Sequence, residues 1–434
     1  MTMSFNTKAL AICLLLFTSF MFAQKINRTE KKILKTITAN NAEAIEFLKT
    51  VVNINSGTMN HEGVKKVGEV FVKAFEDIGF TTSWKDMSQV NRAGHLFAET
   101  SGNKGKKVLL IGHLDTVFEA DSPFQKFEMI NDSTAHAPGG NDMKGGNVIM
   151  LYALKALADN GLLKNAQVIA AFTGDEESTG KPLTISRKDL IDAAKRSDIA
   201  LGYEASSGFN EATIARRGSS GWKVEVKGKR AHSSDIFSDE VGAGAVFEIS
   251  RIINEFYNDV KGEQYLTFNP GVILGGTFVD FDDAFSKGDA FGKSNVVAQT
   301  AVVDGGLRFI SETQKENARN KMRAIVANNL PLTSAKISFI DSYPAMGPTK
   351  GNEELLEVLS QVSKDLGYGP VVAYDPSKRG AADVSFVAAY TDCLDGLGTM
   401  GSDGHTPQET VNLKTIEALT QRTAILIYRL INQK

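Results

Sequence analysis

"LLIGHLDTV", residues 109–117, is a strongly apolar run that stops on His113 and reaches Asp115 two residues later. A strand that only had to pack would end in turn-forming residues. This one ends in a metal-ligand type followed by a carboxylate. Two further runs share its character, "VIAAF" at 168–172 and "IALGY" at 199–203. Between the first two lies a helical stretch, "GGNVIMLYALKALADNG", which Asn160-Gly161 stops. Nearly continuous apolar strands alternating with helices predict an α/β domain, with a mixed, mostly parallel sheet flanked by helices.

Upstream, Ile33 and Ile37, then Ile45, Leu48 and Val52, recur at helical spacing, as do Val64, Val67, Phe71, Phe75 and Ile78. Near Gly218 the pattern changes. "SGWKVEVKGKRAH" alternates with period two, as a half-exposed strand does. A helix over 239–259, strands at 271–276 and 296–309, a helix over 313–328 and a strand at 335–341 follow. That set reads as a smaller α+β domain inserted into the first. Residues 279–294 read as a long, polar, exposed loop. From Asn352 the buried style returns. The expected division is 1–23 as a signal peptide, 24–215 with 345–434 as the catalytic domain, and 216–344 as the insert.

Composition narrows the function. The 434 residues carry a net charge of −3, and no basic stripe suits nucleic acid. Lys8 precedes the apolar run "ALAICLLLFTSFMF", and Ala23-Gln24 offers a cleavage point. That is the pattern of export, periplasmic or secreted, and it is too short for a membrane span. No later segment is long and apolar enough to span a bilayer. Cleavage would remove Cys13 and leave Cys393 without an intrachain partner, so the fold must rest on its core.

In open α/β sheets ligands gather at the carboxyl ends of the strands. The three apolar runs lead there to His113 and Asp115, to Asp175-Glu176-Glu177 in "TGDEES", and to Glu204 in "GYEASSG". Asp142 sits in the glycine-rich turn "PGGNDMKGG", and His405 in "GSDGHTPQE". Taken singly, such residues are usually solvated or capped. Together at one sheet edge, their negative charge is costly without a positive partner. A pair of divalent metals supplies it. The donors are imidazole and carboxylate with no thiolate, which suits Zn²⁺, with Co²⁺ or Mn²⁺ as substitutes.

These five motifs, in this order and over nearly the whole chain after residue 23, resemble the di-zinc exopeptidase family of glutamate carboxypeptidase, acetylornithine deacetylase, succinyl-diaminopimelate desuccinylase and aminoacylase. The secreted glutamate carboxypeptidase type is the nearest in flavour. The resemblance implies a zinc-exopeptidase-like catalytic domain with an inserted, ferredoxin-like lid and dimerisation domain. It implies two zinc ions held by His113, Asp142, Glu177, Glu204 and His405, with Asp142 bridging and followed by a cis peptide. Asp115 would orient the His113 ring. Glu176 would be the general base acting on a metal-bridging hydroxide. His232 in "GKRAHSS" would stabilise the oxyanion, reaching the site of the other subunit of a homodimer.

For the substrate, Asn295 and Arg308 stand where the family holds a free carboxylate, and a guanidinium fork suits that group. The sequence departs from the family pattern at Gly306, where an aspartate is usual, at Ala298, where a proline is usual, and in the long 279–294 insertion. His61, His95 and His136 read as structural, while Arg379 and Asp383 are weak candidates for the pocket wall. The expected activity is an exported di-zinc carboxypeptidase, releasing C-terminal amino acids from small peptides or N-acyl amino acids. An N-acyl amino acid deacylase on the same scaffold is the alternative, and a catalytically silent peptide-binding relative the remote one.

Overall fold

The structure is a computed structural model that describes residues 26–433. The expected signal peptide, residues 1–23, lies outside the described residues. The larger sheet has six strands in the order Thr81–Asp86, Gly94–Glu99, Ala166–Thr173, Lys104–His113, Ile199–Gly202 and Asp392–Leu394. The first two junctions are antiparallel and the other three parallel, so the sheet is mixed. Lys104–His113 lies between its two parallel neighbours, with His113 opposite Thr173 and Ile111 opposite Gly202. This register brings all three carboxyl ends to one edge.

The apolar runs are continuous because both faces of the sheet are covered. Val108 and Leu110 join the large core made with Arg28–Val52, His61–Asp77, Gly145–Asp159 and Ile416–Ile431. Leu109 and Ile111 turn the other way, onto Leu190, Ala194, Val384 and Cys393. Nearly every residue of Gly145–Asp159 is buried, as its all-round apolar sequence demands. Cys393 is buried with a free thiol. Among the described residues, no helix is long and apolar enough to cross a membrane.

Between Gly218 and Asp341 a second sheet forms, antiparallel throughout. Its order is Thr267–Gly276, Thr300–Phe309, Gly218–Lys227, Ser334–Asp341. Gly244–Glu255 and Glu312–Ala327 cover it around a separate core of Trp222, Val224, Ile249, Val303 and Met322. The β-α-β-β-α-β chain order with this strand order is ferredoxin-like. The first of these helices starts later than its periodicity suggests, because Gly242 and Gly244 both take positive φ, +73° and +74°.

The stretch 279–294, expected as a loop, is instead mostly hairpin. Phe278–Asp282 pairs with Lys287–Phe291, and Lys223 Nζ reaches Asp283 at 2.7 Å from the neighbouring sheet. Its polar composition reflects exposure rather than lack of structure.

A small sheet was not foreseen. Gly401–Ser402, Thr410–Asn412, Thr134–His136 and Glu128–Asn131 pair side by side. It carries the His405 loop to the turn that holds Asp142.

Candidate metal centre

Asp142 lies in an irregular turn between Thr134–His136 and the long buried helix, and the peptide after it is cis. Its two carboxylate oxygens face different partners. Oδ1 is 3.2 Å from His113 Nε2, which is itself 3.7 Å from Glu204 Oε1. Oδ2 is 3.0 Å from His405 Nε2, which is 3.2 Å from Glu177 Oε2. The structure therefore forms two imidazole–carboxylate pairs with one shared aspartate between them.

The spacing fits metal binding. Oxygen and nitrogen ligands at 2.0–2.1 Å on a tetrahedral ion stand about 3.3–3.4 Å apart. The first group, at 3.2 and 3.7 Å, brackets that value, and the second, at 3.0 and 3.2 Å, lies just below it. Glu177 Oε1, moreover, is buried without a hydrogen-bond partner. The ligand atoms of His113, Asp142 and Glu177 lie within 4.8 Å of one another, as do those of His113, Glu176 and Glu204.

The electrostatics point the same way. Burial, and then the charge of Asp142, pushes the Glu204 carboxyl up to about 8. Burial and the nearby Glu204 lift Glu176 well above the usual carboxylate range. Burial also raises Glu177. Asp142 resists its own burial, because the two histidines hold its carboxyl far below the usual range. Asp142 and Glu177 in turn push His405 up to about 11. Without a cation the cluster must hold protons; divalent ions would take over that neutralising role.

His113 Nδ1 donates to the Asp115 backbone carbonyl at 3.0 Å, while the Asp115 carboxylate stands at 3.4 Å. The side chain expected to orient the imidazole has other partners too. Asp115 accepts Thr58 Oγ1 at 2.6 Å and the N–H groups of Glu176 and Glu177 at 3.0 and 3.1 Å. It thus pins the peptide that presents both glutamates. Glu177 Oε2 lies 3.2 Å from His405 Nε2, while Glu176 groups with His113 and Glu204.

Three contributors escaped the sequence reading. Glu409, four residues after His405, is fully buried and accepts the N–H groups of Gly139, Asn141 and Asp142 at 3.2, 2.8 and 3.1 Å. Arg187 is fully buried, bonding Asp175 at 2.5 Å and Asp383 at 2.8 Å. Tyr343 donates to the Glu176 carbonyl at 2.8 Å. Only Glu409 left any sign, a carboxylate close behind a ligand histidine.

Glu409→Gln keeps the shape but turns an NH₂ towards backbone N–H donors. It is expected to cost about 1.5–3 kcal/mol, because charged hydrogen bonds to buried amides are lost. Differential scanning calorimetry of the metal-free protein should show that loss. An unchanged Tm would remove Glu409 from the support of the Asp142 turn.

The remaining candidates divide. His95 is buried, with Nε2 on Ser186 O at 2.8 Å and Nδ1 accepting the Gly174 N–H at 3.1 Å, a structural tautomer. His136 lies in its short strand against Phe124. Asp383 is not on a pocket wall; it is bonded by Arg187 and Thr173 below the surface. Arg379 reaches Ala205 O at 3.0 Å, next to Glu204.

His232 and Asn295 are neighbours on the second unit, where Ser233 N–H donates to Asn295 O at 3.0 Å. Arg308 sits on that sheet opposite Ser219 and Thr267. Among the described residues, no hydrogen bond or ion pair joins these three to the cluster. Arg308 lies on the second sheet, and His232 and Asn295 lie in the connections beside it.

Comparison with known proteins adds to this geometry. Residues 109–429 match the description "Peptidase family M20/M25/M40". The chain is 24% identical over 427 residues to carboxypeptidase G2 of Pseudomonas sp. (strain RS-16), covering 96% of each chain. It is 22% identical over 411 residues to succinyl-diaminopimelate desuccinylase of Psychrobacter sp. (strain PRwf-1), covering 89% of this chain and 95% of the relative. The fold superposes on aminopeptidase PepT of Bacillus cereus ATCC 10987 with a TM-score of 0.71, at 17% identity over 90% of this chain and 99% of that one.

Proposed function

The chain belongs to peptidase family M20/M25/M40, a family of metal-dependent hydrolases, and from that premise we propose that it is an exported di-zinc carboxypeptidase. The observation that carries the metal assignment is Asp142, whose two oxygens each face a separate histidine–carboxylate pair. His113 and Glu204 would hold one ion and His405 and Glu177 the other. Bound there, divalent ions would supply Lewis acidity to the scissile carbonyl and lower the pKa of a coordinated water.

The protein's own groups perform the proton transfers. Glu176 accepts a proton from the attacking water and delivers it to the leaving amine. Its burial in the cluster, with its N–H held by Asp115, keeps it in place for both halves of that task. Asp115 keeps Glu176 and Glu177 in register from below. His232 would donate to the oxyanion, and Arg308 with Asn295 would hold the substrate carboxylate, once the second unit meets the site.

A homodimer through that unit is supported by its apolar outer surface. Phe237 and Phe247, 67% and 53% exposed, pack with tilted rings 5.4 Å apart near the His232 segment. Export is supported by the N-terminal apolar run alone.

The likeness to carboxypeptidase G2 along the whole chain favours release of a C-terminal residue. The likeness to a desuccinylase over 411 residues favours the alternative, an N-acyl amino acid deacylase. A panel of N-blocked dipeptides and N-acyl amino acids, with zinc-loaded protein, separates the two. Release of C-terminal residues from the dipeptides is expected. Turnover restricted to small acyl groups would replace this reading by the deacylase, and no turnover at all would leave a silent binder.

A further inference from the structure

Where the chain leaves the larger sheet for the second one and returns, its two crossings run side by side. Arg216 N–H donates to Met346 O at 2.8 Å, Met346 N–H to Arg216 O at 3.1 Å, and Ser219 N–H to Tyr343 O at 2.8 Å. From this ribbon the Tyr343 side chain projects onto the loop of the two glutamates. Its hydroxyl donates to the Glu176 carbonyl at 2.8 Å and lies 2.6 Å from Thr179 Oγ1.

A carbonyl can only accept, so the single phenolic proton is committed to Glu176 and Thr179 must donate to the tyrosine. Thr179 Oγ1 in turn accepts from Arg187 Nη2 at 3.4 Å, the longest link. The result is a one-way chain of donors from a buried guanidinium through Thr179 and Tyr343 to the peptide of the general base. The Tyr343 ring packs on Phe386 at 4.9 Å, and Arg187 lies 5.3 Å from the centre of that same ring.

The Glu176–Glu177 peptide is therefore held at both polar ends. Asp115 takes the N–H groups, and Tyr343 takes the carbonyl from the ribbon about which the second unit would turn. Rotation of that one peptide would move two side chains with different tasks. We propose that Tyr343 is a positioning residue that couples the seating of the ribbon to the alignment of Glu176. Any shift of the ribbon would thereby reach the base through the Glu176 carbonyl that Tyr343 holds. This inference rests on Glu176 being the base.

Tyr343→Phe removes the hydroxyl and keeps the ring on Phe386. With zinc-loaded full-length chain, kcat is expected to fall about tenfold, with KM and metal content within twofold of the parent. In metal-free protein, hydrogen exchange of segment 174–180 is expected to quicken. Thr179→Val, which removes the preceding donor, should act in the same direction and adds a second route if the first variant folds poorly. The double variant should lose no more than Tyr343→Phe alone, because the two belong to one chain.

Unchanged kcat, unchanged exchange, or losses that multiply would each overturn the proposal. Glu176→Gln is run beside them. An inactive Glu176→Gln with a fully active Tyr343→Phe refutes the tyrosine alone. An active Glu176→Gln removes the base and this proposal together.

Discussion

Glu176→Gln is expected to lower kcat about a thousandfold, the middle of the range that a positioned general acid–base supplies. The substitution is nearly isosteric. The loop should survive it, because Glu176 is held through its backbone: its N–H by Asp115 at 3.0 Å and its carbonyl by Tyr343 at 2.8 Å. Metal content should also survive, since the assigned ligands are other residues. Burial already disfavours the charged carboxylate, so a neutral amide imposes no new desolvation cost and Tm should not fall. Steady-state kinetics with metal analysis of the same sample checks all three points. More than a tenth of parental kcat in the fully loaded variant would remove Glu176 from the proton path.

Metal removal is expected to have an even larger effect. Exhaustive chelation should abolish amide hydrolysis, and Zn²⁺, Co²⁺ or Mn²⁺ should restore it. Stability should drop as well. An ion present at a thousandfold over its Kd contributes about 4 kcal/mol to the folded state, provided it does not bind the unfolded chain. Removing it leaves Glu177 and Glu204 buried beside Asp142 with only protons to compensate. Calorimetry before and after chelation, with elemental analysis, measures this. Asp142→Asn should prevent restoration at metal levels that reactivate the parent, because one charge serves both halves of the cluster. Full activity in protein shown to contain no metal would sink the assignment.

The larger sheet was legible because its strands announce their burial. Val108 and Leu110 face one layer while Leu109 and Ile111 face the other, so no polar alternation is possible and the run reads as continuous. The second sheet was legible for the opposite reason, since Gly218–Lys227 alternates between buried and partly exposed residues. The 279–294 segment misled, because an exposed hairpin has little apolar content by which to declare its pairing.

For the centre, the residue types and their places at strand ends were written in the chain, and so was their likeness to a family. How they are held was not. Glu409 grips the Asn141 amide across 268 positions of sequence, and Tyr343 meets Glu176 across 167. Arg187 and Asp383 are 196 apart. Hydrophobic periodicity records whether a residue is buried by its own element. It carries no signal for a side chain satisfying the backbone of a distant loop. Local sequence thus determined the three central strands of the larger sheet, the first three helices and the metal-binding residue types. Only the tertiary structure decided which carboxylate, guanidinium and phenol would fix the peptides around the shared Asp142. Those contacts exist only after separate elements have packed together and excluded water from between them.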